Sequence, residues 1–333
     1  MNIVPTRWLG LDISSATFDA ALGVEGSAPE LKSDVQNYPR TRIGIQACLE
    51  RAGEVAGVAL ESTGIYSQEV AAWLREARPG LRVCVLNPMQ VKAYGRSLAV
   101  RNKNDRIDAR VIACFAASHR PEASWVPEPE RMRLRELLHE REALVQMLAD
   151  TRKRPNSGQS SLLNDVRQSI ERQLKDAISR IEAGIHELMD AHPAMKADMR
   201  RLMTIPGIGP VVAVSVLAIL GDLRRFRRAR QLGAFVGVSP RQCVSGTSVR
   251  GRTRMCKQGN SRIRQLLYLA AMASLRTEGP MKAVFESLVA RGKARKSALG
   301  AVMRRLLLLM RALLVHEADY QAGYPSGPLP AVS

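Results

Sequence analysis

Four acidic residues in the first third of the chain have the types and spacing that could hold divalent cations. Asp12 ends the apolar run Trp8-Leu9-Gly10-Leu11, and Glu61 ends Val58-Ala59-Leu60. Asp105 and Asp108 stand three apart in Asn104-Asp105-Arg106-Ile107-Asp108-Ala109-Arg110, which places both on one helix face. Carboxylates gathered together repel one another unless cations balance them. Hard oxygen ligands of this kind favour Mg2+, with Mn2+ as a substitute. Two such ions can activate one oxygen and stabilise another in an in-line phosphoryl displacement. Each acid alone has a plainer reading. Asp105 could serve a helix N-terminus, Asp108 could pair with Arg106 or Arg110, and Glu61 could belong to a turn. The ordered set, a strand-end Asp, a strand-end Glu and a helical Asp-x-x-Asp, favours the metal-binding reading.

A second candidate lies far along the chain, in Ser239-Pro240-Arg241-Gln242-Cys243-Val244-Ser245-Gly246-Thr247-Ser248-Val249-Arg250-Gly251. A serine before glycine, among arginines, could attack a phosphate that guanidinium groups hold. Chemistry alone does not separate Ser245 from Ser248. No His/Asp pair lies nearby to act as base, so a metal or a distant carboxylate would have to assist. Upstream, Leu202-Met203-Thr204-Ile205-Pro206-Gly207-Ile208-Gly209-Pro210-Val211 reads as a helix-hairpin-helix, in which Gly207 and Gly209 let backbone N–H groups approach a phosphate. A plain αα-corner is the alternative. Basic residues crowd around these motifs, at Arg224, Arg225, Arg227, Arg228 and Arg230 and again at Arg241, Arg250, Arg252, Arg254 and Lys257. Together they suggest a surface that tracks a phosphate backbone.

The whole composition agrees. Over 333 residues, 50 Lys and Arg against 31 Asp and Glu give a formal charge of +19, which suits a polyanionic partner. A basic but otherwise ordinary protein is the competing reading, and no long basic amphipathic helix supports a membrane surface. Aromatic residues are 4%, so aliphatic side chains must fill the core. The five cysteines lack any ligand spacing and read as reduced thiols of a cytoplasmic protein. No signal peptide is evident, and the apolar run Leu306–Met310 is too short to cross a membrane.

The elements that must position these residues follow from periodicity. Strands are predicted at Arg7–Ile13, Thr17–Val24, Glu30–Asn37, Val55–Glu61 and Leu81–Leu86, with helices near Arg40–Ala52, Gln68–Glu76, Met89–Leu98 and Asn104–Ser118. This order fits a ribonuclease-H-like α/β domain over residues 1–125, ended by a proline-rich joint. A helical coiled-coil segment is predicted over 126–200, broken near Pro155–Gly158. Its seam runs through Val166, Ile170, Leu174, Ile178, Ile181, Ile185 and Leu188, and one more core-facing helix is the equal alternative. A helical C-terminal domain is expected over 201–320, interrupted by a Gly- and Arg-rich loop at Gly237–Gly259, with a flexible tail at 321–333.

These motifs resemble those of the DEDD-type insertion-sequence transposases, a group that includes pilin-inverting invertases and bridge-RNA-guided recombinases. Gly10-Leu11-Asp12, Glu61-Ser62-Thr63-Gly64-Ile65-Tyr66, Asn87-Pro88 and Arg101–Ala109 carry the likeness in the first half. Ile205–Gly209, Gly237–Arg241, the Ser-Gly-x-Ser-x-x-Gly stretch at Ser245–Gly251 and Lys257-Gln258-Gly259-Asn260 carry it in the second. The resemblance implies a RuvC-like domain whose Asp12, Glu61, Asp105 and Asp108 bind Mg2+, and a transposase domain whose Ser245 forms a covalent phosphoserine link with DNA. It also implies donor and target DNA as substrates, a noncoding bridge RNA as guide, a homodimer or homotetramer with a composite site, and a cytoplasmic enzyme at the nucleoid. The alternatives are a metal-dependent endonuclease or Holliday-junction resolvase without a covalent step, and a catalytically silent nucleic-acid-binding protein.

Overall fold

The alternation in the first residues produces the two strands predicted for them, β1 at Arg7–Ile13 and β2 at Thr17–Val24. The structure, a computed structural model, describes residues 6–29, 34–62, 64–98, 105–124, 128–153, 161–245 and 249–321; at 65, 105, 106, 242–245 and 249–253 it describes the backbone alone. The chain divides into two compact units, Met1–Pro127 and Glu128–Ser333.

In the first unit, β1 and β2 are followed by β3 (Val35–Pro39), α1 (Arg42–Ala52), β4 (Gly57–Glu61), α2 (Ile65–Ala77), β5 (Val83–Leu86), α3 (Pro88–Ser97) and α4 (Asp105–His119). The five strands form one mixed sheet in the order β3-β2-β1-β4-β5. β1, β2 and β3 pair antiparallel, whereas β4 joins β1 and β5 joins β4 in parallel. This mixed sheet is consistent with the ribonuclease-H-like expectation. Local chemistry starts the helices where they begin. The Thr41 side chain accepts from the Gly44 N–H ahead of α1, and Asn87 accepts from Met89 with Pro88 in the first turn of α3.

Helices cover both faces of the sheet, so β1, β2, β4 and β5 are buried along most of their length, whereas β3 is only partly buried. Leu9, Leu11, Phe18 and Leu60 pack with Ile45 and Leu49 of α1 and Val70 and Leu74 of α2. On the other face Trp8, Ala59 and Cys84 pack with Val91 of α3 and with Val111, Ile112 and Phe115 of α4. α4 lies very close to the sheet. A Cβ on Gly10 would stand 2.3 Å from Ala113 N and 2.6 Å from Ala109 O, and one on Gly23 2.6 Å from Ala113 O. Glycine on the strands and fully buried alanine on the helix are what permit this approach.

The second unit contains α5 (Pro129–Lys153), α6 (Ser161–Asp190), α7 (Pro193–Met203), α8 (Pro210–Leu220), α9 (Ala229–Val236), β6 (Pro240–Ser245), β7 (Val249–Met255), α10 (Ser261–Ser274), α11 (Pro280–Ala290) and α12 (Arg295–Val315). α5 and α6 run antiparallel, bridged by Arg141–Glu182 and Arg152–Glu171. The predicted seam divides along α6. Ile185 is buried and Ile181 and Leu188 pack on the core, whereas Val166 and Ile170 are exposed. The break predicted at Pro155–Gly158 and the tail beyond residue 321 lie outside the described residues.

The predicted loop at Gly237–Gly259 is instead built around a two-stranded ribbon, β6 pairing antiparallel with β7. Val249-Arg250-Gly251-Arg252-Thr253-Arg254-Met255 does alternate with the period of a strand. Its arginines and glycine have low strand propensity, so composition pointed to a loop while pairing decided for the ribbon.

Arginines hold this unit together from within. The last four carbonyls of α8 have no partner in their own helix. Arg131 Nη1 donates to Leu217 O at 2.6 Å, Arg135 donates to Ala218 O and Ile219 O at 2.7 Å each, and Arg225 donates to Leu220 O at 3.2 Å. Burial, then the neighbouring Arg131 and Arg225, holds the Arg135 guanidinium down to about 10, still charged at neutral pH. Arg135→Met keeps the length of the side chain and removes the donors. The lost charged hydrogen bonds, at about 1.5–3 kcal/mol each before relaxation, are expected to lower Tm by about 5–10 °C in a thermal melt.

Candidate functional site

In the first unit, strand register brings the predicted acids to one end of the sheet. The parallel pairing of β1 with β4 runs Gly10↔Ala59 and Leu11↔Leu60, so Asp12 and Glu61 are the next positions on neighbouring strands. Side chains alternate along a strand, so both lie on the face of Trp8 and Ala59, the one α4 covers. α4 approaches that face with Ala113 and then Ala109 over Gly10. One further helical turn advances about 5.4 Å, and the two strand residues from Gly10 to Asp12 about 6.6 Å. The turn that carries Asp105 and Asp108 therefore comes level with Asp12. The positive end of the α4 dipole also faces these acids. Asp12, Glu61 and Asp108 are half-buried, and Asp105 is described by its backbone alone. Among the described residues no group of three His, Cys, Asp or Glu side chains stands close enough to hold a metal ion, and the Asp105 side chain is outside them.

Sequence reading missed a fifth carboxylate beside these. Asp19 pairs directly with Asp12 across β1 and β2, and with Asn37 across β2 and β3. It is buried, at 9% exposure, and accepts a hydrogen bond from Asn37 Nδ2 at 2.9 Å. An aspartate inside an apolar strand, Thr17-Phe18-Asp19-Ala20-Ala21, was the available signal. Two buried thiols of this unit are not competing nucleophiles. Burial pushes Cys48 up to about 12 and Cys84 up to about 11, so neither is a thiolate at neutral pH.

In the second unit, Ser245 is the last residue of β6 and pairs with Val249, so it stands at the far end of the ribbon. Ser248 lies outside the described residues. Arg241, Arg254 and Lys257 are exposed, and Arg250 and Arg252 occupy β7 with their backbone alone described. Gly207, at φ +90°, turns inward: a Cβ there would meet Ala270 O and Ser274 N at 2.7 Å. Gly209 precedes α8, and a Cβ there would meet nothing within 4 Å. Two arginines of the first basic cluster are engaged by partners within this unit. Arg224 grips Asp198 through two hydrogen bonds of 2.7 and 2.8 Å and also donates to Leu314 O, while Arg225 is bound to Leu220 O. Arg227, Arg228 and Arg230 remain exposed.

Comparison with known sequences decides the lineage. A DEDD transposase domain matches residues 9–157, and the family described as "Transposase IS116/IS110/IS902 family" matches residues 199–286. A "Probable family 20 transposase" of Pseudomonas aeruginosa is 32% identical over 252 residues, 66% of this chain and 71% of that protein. The chain belongs to the IS116/IS110/IS902 transposase family. The "Pilin gene-inverting protein" of Moraxella lacunata is 26% identical over 311 residues, covering 92% of this chain and 95% of its own. The transposase of insertion sequence IS1111A from Coxiella burnetii is 28% identical over 322 residues, covering 83% and 84%. This family member is thus a DNA-recombining enzyme. The two matched segments contain, respectively, the four predicted acids and Ser245 with its arginines. No helix among the described residues is long and apolar enough to cross a membrane.

Proposed function

We propose that this enzyme cuts and exchanges strands of donor and target DNA through a covalent link between Ser245 and a DNA phosphate, with Asp12, Glu61, Asp105 and Asp108 holding Mg2+ in a RuvC-like domain. The observation that carries the reading is the register of β1 and β4, which sets Asp12 beside Glu61, together with the close approach of Ala109 and Ala113 of α4 to Gly10 on the same face. Carboxylate oxygens at a strand end and a helix N-terminus fit a hard divalent cation. When bound, it would supply Lewis-acid stabilisation of charge on the reacting phosphate oxygens.

The remaining steps belong to the chain's own groups. Ser245 Oγ gives up its proton and bonds to phosphorus while one P–O bond of the DNA breaks, and the departing sugar oxygen takes up a proton. The number of phosphoester bonds is unchanged, so attack by the hydroxyl of a second strand reseals DNA and frees the serine with no external energy source. Arg241, Arg250, Arg252, Arg254 and Lys257 hold phosphate oxygens along the ribbon, and the Gly207–Gly209 turn, read as a helix-hairpin-helix, positions a further stretch of backbone. The +19 charge suits a guide RNA beside the two DNA partners. The exposed Val166 and Ile170 seam suits an intermolecular coiled coil, and with it a homodimer or homotetramer.

The test is a denaturing gel of the enzyme incubated with donor DNA, its flanking noncoding RNA and Mg2+. A protein–DNA adduct is expected, and it should disappear with a chelator and in Asp12→Asn. Cleaved DNA that never carries protein would favour the metal-dependent endonuclease.

A further inference from the structure

Helix α10 buries one face and leaves another without cover. Ile263, Leu267 and Ala270 sit in the core, but Tyr268 is 44% and Met272 47% exposed one turn apart. Tyr268, Met272 and Leu275 line an open groove of about 450 Å³ between α10, α11 and α12, with Phe285 of α11 also on its wall. Such a volume lies in the range of small-molecule sites, about 300–1,000 Å³. Around these apolar groups stand four cations: Arg276, Lys282, Arg295 and Lys296. Among the described residues Glu286 is the one acid in the lining, and Lys282 pairs with Glu278. The Arg295 guanidinium lies 6.0 Å from the centroid of the Phe285 ring.

The two halves of this lining ask for different things from an occupant. The ring of Tyr268 and the Met272 side chain want a flat apolar face. The cations want negative charge, and covering them with an apolar helix would strand them without partners. A nucleotide meets both demands, because every base offers a π-face and every link a phosphate. A paired base inside a duplex does not expose its face, so the occupant is unpaired. We propose that this groove binds an unpaired nucleotide of single-stranded DNA, the base stacked on Tyr268 and its phosphates held by Arg276, Arg295 and Lys296. The choice of DNA rests on the strand-exchange reading, since exchanging strands leaves bases transiently unpaired. The stacking and charge argument does not.

The test measures binding of the full chain without divalent metal, so its outcome is independent of Ser245 chemistry. The probe is a short mixed-sequence DNA strand carrying 2-aminopurine, compared with its duplex and with the same sequence as RNA. Tyr268→Ala and Lys296→Glu are each expected to weaken single-strand binding by about tenfold or more, with duplex affinity within about twofold of wild type. Tyr268→Phe should retain both affinity and 2-aminopurine quenching, because the ring and not the hydroxyl does the stacking. The proposal is overturned if Tyr268→Ala binds the strand and quenches it as wild type does. Equal losses for duplex would reduce the groove to general basic surface. Preferential loss of RNA binding would reassign it to RNA, and a change confined to oligomeric state in sedimentation would make it a contact between copies.

Discussion

Ser245→Ala protein is expected to bind donor DNA as wild type does while forming no covalent adduct and no exchanged product. Ser245 ends β6 at the far end of a ribbon whose other strand brings Arg250, Arg252 and Arg254 alongside. A ladder of backbone hydrogen bonds does not depend on a side-chain hydroxyl, so the substitution is expected to leave the ribbon and DNA binding intact. On the proposed serine mechanism only the nucleophile would be lost, and loss of a nucleophile that no other group replaces takes activity down by many orders of magnitude. Adduct formation on a denaturing gel and DNA affinity by anisotropy, measured on the same preparation, separate chemistry from binding. Full strand exchange by Ser245→Ala would sink the serine mechanism. The same variant tests whether the site is composite. Mixed with Asp12→Ala protein, it should recover exchange if the acids of one protomer serve the serine of another.

The second large effect is expected at a position with no chemistry of its own. Gly10→Val should lower Tm by about 5 °C or more and reduce strand exchange by about 100-fold or more. The new Cβ would fall 2.3 Å from Ala113 N and 2.7 Å from Ala113 Cα, backbone atoms of α4 that no rotamer change can move aside. Overpacking of this kind costs about 1–3 kcal/mol or more. The helix can relieve it only by moving off the sheet, and with it goes the turn that carries Asp105 and Asp108. A displacement of about 1 Å at a reacting centre is enough for a 100-fold loss. Gly184→Ala in α6 is the matched control, since a Cβ there meets nothing, and it should hold or slightly raise Tm. A Gly10→Val enzyme with wild-type exchange would show that α4 does not fix the acids.

Much of the first unit was legible from local pattern. β1 and β2 fall where alternation put them, and α1 and α3 begin at Arg42 and Pro88, close to the predicted Arg40 and Met89. Later boundaries shifted by a few residues: β4 begins at Gly57 and α2 at Ile65, before the predicted Gln68. Helix ends depend on caps and packing that periodicity does not report. The ribbon at β6 and β7 was read as a loop because arginine and glycine hide a strand whose stability comes from its partner.

The sequence by itself determined which residues could do chemistry. It placed four carboxylates at element ends, two serines, Ser245 and Ser248, among arginines and a net charge that calls for a polyanion, because these depend on residue type and short-range spacing. Tertiary structure alone decided which of them meet. Asp12 stands beside Glu61 because β4, more than forty residues on, adds to β1 in parallel, and no local periodicity encodes that pairing. Asp19 joins the acids through the β1–β2 register, while Arg224, Arg225 and Arg311 are drawn inward by Asp198 and by carbonyls at Leu220, Leu314 and Phe226. A charged side chain looks the same in sequence whether it faces a phosphate or the open end of a helix, and only the packed chain supplies the partner that tells them apart.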